Sequence, residues 1–315
     1  MIKKNNSQTS FASLQVKNCV AKTSWLQQVN KIINWKPIER ILADIHPAKR
    51  GRPAFDPVFM FKILLLQQWF NLSDPQAEAQ INDRISFKLF LGMDIADTGP
   101  DETTICRFRK EIGDKAEKLL DEINRQFLEK GIVVRTGTMM DASFIQAAAR
   151  PGNKKRESKD QDATWGQKGK KSVFGYKMHI GADVDSGIIR KAVLTTAKIH
   201  DSVMISHLVS GDEKKIFADK AYWRKEWNDH VEIDGKKYKS GIMKKAVRGN
   251  PLSKEDKERN KVIAKIRANV ERPFAIIKSK WGHMRARYFD QFRNEVHLYL
   301  LCIAYNMRRA YALLG

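Results

Sequence analysis

Cysteine is scarce in this 315-residue chain: Cys19, Cys106 and Cys302 are the only three, and they lie far apart. An odd, scattered set excludes a disulfide framework and a clustered zinc site, and fits a reducing cytoplasm. Long hydrophobic runs are missing too. The most apolar stretch, VFMFKILLLQQWF, is broken by Lys62, Gln67 and Gln68, and the opening MIKKNNSQTS has no apolar core. Neither a membrane span nor a signal peptide is expected. No repeat of about 20 to 50 residues recurs, which removes solenoids and propellers. Acidic charge is the largest deficit: 58 Lys and Arg face 36 Asp and Glu, a formal charge of +22. Solubility needs far less, so a polyanionic partner is expected, nucleic acid ahead of an anionic membrane. Residues 1–130 carry 20 basic against 16 acidic side chains and the remainder 38 against 20. The polyanion is therefore expected mostly along the C-terminal half.

What is present supports a globular protein, since 42% hydrophobic residues over this length can build one large core or two ordinary ones. Residues 1–48 read as an N-terminal helical arm, with Trp25, Val29, Ile32 and Ile33 at helical spacing. Such a helix packs on the core, or clasps DNA or a second protomer. Residues 49–130 read as an all-α domain. Asp56 and Pro57 are placed to open its first helix, a second begins near Ser73, and a third runs from about Thr103 to Lys130 with a break near Gly113. Thr103, Thr104, Arg107 and Arg109 on the last helix give a helix-turn-helix-like arrangement, in which the two arginines reach DNA. A plain bundle with both arginines solvated fits equally well.

Beyond Gly131 the pattern changes to strands. VVRTGTMMDAS predicts a strand ending at Asp141, and RPGNKKRESKDQDATWGQKGKKS a basic loop. From Arg150 to Lys177 there are nine cations against three acids. This is a solvated loop, or one that tracks phosphates through Lys154, Lys155, Lys168, Lys170 and Lys171. A hairpin follows, turning at Asp185–Gly187; then a short helix, HDSVMISHLVS; then a strand, KKIFADKAY, with Asp219 at its end. YWRKEWNDH predicts a helical piece and KKYKSGIMKK a strand. Ser253 is placed to cap a long helix carrying Glu271, kinked at Pro273, and residues 291–315 a packing helix.

In RANVERPFAIIK, offsets of four and seven put Arg267, Glu271 and Lys278 on one helix face. Alone this is an ordinary ion pair beside a solvated lysine, worth about 0.3 to 0.5 kcal/mol. With Asp141 and Asp219 upstream it is more, because the order of elements over 131–290 matches a ribonuclease-H-like mixed sheet with flanking helices. There the strands bearing the two aspartates lie side by side. Converging carboxylates repel by roughly 4 kcal/mol per pair at 4 Å, so a cation must sit among them. Oxygen donors without His or Cys favour Mg²⁺ or Mn²⁺, and two such ions suit phosphodiester chemistry. Asp183 and Asp185 are expected to serve the hairpin turn, Asp201 to cap a helix or support the metals, and His179 to pack in the core. Trp223 and Trp227 read as core, or as one stacking on an unpaired base.

MMDASFI, GYKMHIGADVDSGII, TTAKIHDS, IFADKAY and RANVERPFAIIK together resemble the catalytic domain of IS5-type insertion-sequence transposases, a DDE family. GRPAFDPVFMFKILLLQQWF through PDETTICRFRKEI resembles the helical domain that precedes it. The resemblance spans about residues 45–310. It implies Asp141, Asp219 and Glu271 as the metal-binding catalytic triad, two Mg²⁺ or Mn²⁺ ions, and Arg267 and Lys278 in the basic places of a Tyr, Arg, Glu, Lys signature. The Tyr place is Ala264, a departure. It further implies a prokaryotic cytoplasmic DNA transposase that cuts element ends at terminal inverted repeats and joins them to target DNA, as a homodimer or larger assembly on double-stranded DNA. A repressor that keeps the fold without catalysis, or a nuclease that cuts without joining, are the alternatives.

Overall fold

A computed structural model of the chain describes residues 24–45, 53–153, 156–247 and 251–315. They belong to two compact units, Met1–Gln126 with Met307–Gly315, and Phe127–Asn306. The first is helical: α1 (Trp25–Ile32), α2 (Trp35–Leu42), α3 (Pro57–Phe70), α4 (Asp74–Asp83), α5 (Ile85–Leu91), α6 (Glu102–Ile112) and α7 (Lys115–Glu129), the last turn of α7 falling in the second unit. α3 is its centre. Phe59, Met60, Phe61, Ile63, Leu64, Leu65, Leu66 and Trp69 are all buried, the pattern of a helix apolar all round and enclosed by others. Asp56 caps it by accepting from Phe59 N at 2.9 Å. Ser73 and Gln76 form a reciprocal capping box on α4. Gly113, at φ +33°, divides α6 from α7, where the sequence predicts the break.

The second unit is built on a seven-stranded mixed sheet flanked by helices, a ribonuclease-H-like α/β fold. Its strands are β1 (Thr138–Gln146), β2 (Thr164–Lys168), β3 (Lys171–Asp183), β4 (Ile189–Thr196), β5 (Lys215–Ala218), β6 (His230–Ile233) and β7 (Lys236–Ile242). β3 pairs antiparallel with β1, β2 and β4; β1 and β5 are parallel, as are β5 and β7; β6 closes the edge antiparallel to β7. The helices are α8 (Lys254–Arg267), a short α9 (Glu271–Phe274) and α10 (Gln291–Leu314). α10 contributes residues up to Asn306 here and Met307 onward to the first unit. Among the described residues no helix is long and apolar enough to cross a membrane.

Four local expectations need correction. β1 does not stop at Asp141 but runs to Gln146, because β3 continues to pair with it as far as Gly175. Part of the basic loop is strand β2, held in a hairpin with β3. The helices expected after His200 and after Tyr222 are reduced to 3₁₀ turns, Asp201–Met204, Ser206–Leu208 and Lys225–Trp227, segments too short to offset the cost of helix nucleation. The kink expected at Pro273 begins earlier. After Arg267 the chain passes through a 3₁₀ turn (Ala268–Val270), then α9, then π-helical turns (Ala275–Lys280). Pro273 has no N–H for the Asn269 carbonyl four residues back, so the hydrogen-bond spacing changes on both sides of it.

Candidate active site

The parallel pair β1 and β5 sets Thr138 opposite Ile216 and Met139 opposite Phe217. Two residues further along each strand, Asp141 and Asp219 are therefore level and on one face. Their backbones are about 5 Å apart at that spacing, where two unit charges repel by about 3 kcal/mol at an effective dielectric near 20. The Asp141 carboxyl responds: its pKa is raised, first by burial and then by the Asp219 charge, against the opposing pull of Arg267 and of the Ala142 N–H. Asp219 sits where the chain leaves β5. Its side chain accepts from Ala221 N, and its carbonyl accepts from Tyr222 N at 3.1 Å, so the turn itself fixes the carboxylate.

The segment after α8 lies over β1 and is pinned at two points. Arg267 Nη2 is 3.2 Å from Asp141 Oδ2, with both side chains largely buried. Lys278 Nζ donates to Ser143 Oγ at 2.6 Å and to the Phe144 carbonyl. Glu271 lies in sequence between these two pins, one helical turn beyond Arg267, and is exposed. Arg267 thus pairs across to Asp141. Among the described residues no three His, Cys, Asp or Glu side chains converge as a metal-holding group. What is brought together is the aspartate pair with Arg267 on it. Its hard oxygen donors and mutual repulsion fit a divalent cation, with Glu271 available from the adjoining helix.

A second polar cluster forms around Asp201. Asp201 accepts from Lys177 Nζ at 2.9 Å and lies 4.0 Å from Nδ1 of the fully buried His179, whose Nε2 is 2.9 Å from Thr195 Oγ1. Burial lowers the His179 pKa to about 4, with Lys177 adding and Asp201 opposing, so the ring is neutral near pH 7. The helix-cap role expected of Asp201 belongs to His200, whose ring accepts from Ser202 N. Tyr222 is buried, and its hydroxyl pKa is driven up by burial and then by Asp201, Asp141 and Asp219. Its Oη, His179 Nδ1, Arg267 Nε and Trp223 Nε1 are buried without a hydrogen-bond partner. Sequence reasoning does not single out Lys177 or Tyr222. The signal for Lys177 is its period-two spacing with His179 inside an apolar strand.

Asp183 serves the hairpin turn, whereas Asp185 bonds outside it. Asp183 accepts from Ser186 N at 2.9 Å and from its hydroxyl at 2.7 Å, and Asp185 accepts from Thr136 Oγ1. In the helical unit, Arg107 is exposed at the rim of a cavity of about 320 Å³ lined by Phe55, Met60, Pro100 and Thr104. Arg109, expected on DNA, is instead turned inward onto Asp74 and Gln67. Thr103 and Thr104 hydroxyls both donate to the Asp101 cap. Of the loop cations, Lys154 and Lys155 lie outside the described residues, Lys168 ends β2, and Lys170 and Lys171 are exposed at the hairpin turn.

Residues 133–307, more than half of the chain, match the family described as Transposase DDE domain. Residues 14–111 match a second, described as Transposase domain (DUF772). No solved structure matches the chain.

Proposed function

The chain belongs to the transposase DDE domain family, and from that premise we propose that it hydrolyses phosphodiester bonds at the ends of a mobile DNA element and joins the freed 3′-OH ends to target DNA. The observation that carries this reading is the register of β1 and β5, with Asp141 level with Asp219 and Arg267 seated on the pair. Asp141, Asp219 and Glu271 would hold Mg²⁺ or Mn²⁺. Such ions, when bound, activate the attacking oxygen and stabilise the leaving oxygen at phosphorus. The chain's own side chains do the rest. Arg267 balances the buried aspartate charge and presents a planar cation to phosphate. Lys278, fastened to Ser143, holds β1 against the helix that carries Glu271.

In the first step water attacks the phosphorus at the element end, its proton passes to solvent, and the 3′ oxygen leaves as a hydroxyl. In the second step that 3′-OH attacks a target phosphodiester, expelling a target 3′-OH. One bond forms and one breaks each time, without a covalent enzyme intermediate. The helical unit would read the terminal inverted repeats through Arg107, while Lys170 and Lys171 bind phosphates of the element or target duplex. Acting on two ends requires at least a dimer on DNA.

Incubating the protein with a labelled terminal-repeat duplex and a plasmid target in Mg²⁺ tests the reading. Cleaved ends covalently joined to plasmid are expected. Cleavage without joining would make the chain a nuclease, and binding without cleavage a repressor.

A further inference from the structure

Of the two tryptophans that follow Asp219 in sequence, Trp227 is buried and Trp223 is partly buried. Trp227 is 8% exposed in the core beneath β5, with the Arg224 guanidinium 4.4 Å from its ring centre, and Trp223 packs against the same core. Trp165, by contrast, is 56% exposed. It lies on β2 opposite Phe174, with the two ring centres 5.5 Å apart. Asp141 lies opposite Ile180 on the same strand β3. Positions 174 and 180 differ by an even number, so Trp165 and Asp141 project from one face of the sheet. Six residues of strand separate them, about 20 Å, which is about six nucleotide steps of one DNA strand.

The ring stands on a firm bed. A Cβ at the next residue, Gly166, would come within 2.5 Å of the Ala197 carbonyl and of the Phe144 ring, so the β2 backbone is seated directly on its neighbours. The hairpin turns at Gly169, φ +61°, and there presents exposed Lys170 and Lys171. An exposed indole with two cations at the adjoining turn, in a chain of charge +22, is complementary to a nucleobase and its flanking phosphates.

We infer that Trp165 is a stacking platform for an unpaired base of the bound DNA, turned out of the duplex about six nucleotides from the phosphate that is cut, with Lys170 and Lys171 holding the adjoining backbone. The inference rests on Asp141 and Asp219 marking the point of cleavage. Stacking tolerates any base, so Trp165 adds grip and register more than sequence preference.

The test uses full-length Asp219→Asn protein, so that the DNA stays uncut. Element-end duplexes carry 5-iododeoxyuridine at single positions from about two to ten nucleotides from the cut, and long-wave irradiation links an iodinated base to an aromatic ring stacked on it. Crosslinking to Trp165, peaking over two or three adjacent positions, is the expected result. Trp165→Ala should bind the same duplex about ten- to a hundredfold more weakly, and Trp165→Phe within severalfold of the parent. Crosslinks that fall elsewhere or at no position, or unaltered binding by Trp165→Ala, overturn the inference. Both readouts come from uncut complexes. Failure of the cleavage reading would show separately, as cutting that survives Asp219→Asn.

Discussion

At Asp141 a largely buried carboxylate is level with that of Asp219 and is held by a single guanidinium. That arrangement explains why Arg267, in the sequence an apparent partner for Glu271, reaches across to β1: the unbalanced charge is there. A cation entering at Asp141 competes with Arg267, so Arg267→Ala should bind Mn²⁺ more tightly in the absence of DNA, by severalfold, while losing affinity for phosphate. Titrating free Mn²⁺ by electron paramagnetic resonance checks this; weaker binding by the variant would contradict it. His179 gives a pH prediction. Its pKa is lowered from 6.5 to about 4, mainly by burial, while Asp201 opposes and Lys177 adds to the shift. Between those values the unfolded chain binds the proton and the folded chain does not, so its contribution is intact above about pH 6.5 and is lost as pH falls toward 4. Urea unfolding at pH 7 and pH 5 should show this loss in the parent and a smaller one in His179→Gln. Equal losses would place the acid sensitivity elsewhere.

Elements carry different amounts of legible signal. α3, capped by Asp56 and buried over most of its surface, and the strand leading to Asp219 could be read from local pattern, as could the hairpin turn that Asp183 braces. The extension of β1 beyond Asp141, strand β2, and the irregular turns from Ala268 to Lys280 could not. They depend on pairing with a distant strand or on where a proline falls relative to a carbonyl, and neither is local in sequence. Arg109 illustrates the same limit. It follows Arg107 by two residues on α6, yet a helical turn of about 100° per residue sends the two to opposite sides. Arg109 ties α6 to the start of α4 through Asp74, with side chains 11% and 21% exposed. Arg109→Ala should therefore destabilise the helical unit by about 2 to 4 kcal/mol, leaving Asp74 half-buried without its partner. Arg107→Ala should leave the melting temperature unchanged and reduce discrimination between element ends and random DNA by about 1 to 3 kcal/mol. Thermal melts alongside paired binding assays separate the two, and the reverse assignment would show as a stability loss confined to Arg107→Ala.

Over the whole molecule the excess of basic charge, +22, is plain from composition, and the family match over residues 133–307 accords with a DNA partner. Which cations touch phosphate is not a compositional question. Replacing Lys170 and Lys171 with Gln should lower the log–log slope of DNA affinity against salt by up to about 0.9 for each phosphate no longer neutralised, with little change in sequence preference. The carboxylates are legible as candidates because Asp141 and Asp219 each follow a short apolar run and Glu271 sits in a charged helical segment. Their spacing in three dimensions is not legible, and it depends on the parallel register of β1 and β5 and on the two pins, Arg267 and Lys278. The most direct measurement is 3′-end cleavage and strand transfer by Asp141→Asn, Asp219→Asn and Glu271→Gln, beside Asp185→Asn as a turn control and Asp201→Asn, in Mg²⁺ and in Mn²⁺. Both activities should vanish in the first three with DNA binding retained, and Asp185→Asn should stay within a few fold of the parent. Normal cutting by Asp219→Asn, with Asp185→Asn or Asp201→Asn inactive, would contradict the assignment of the catalytic carboxylates.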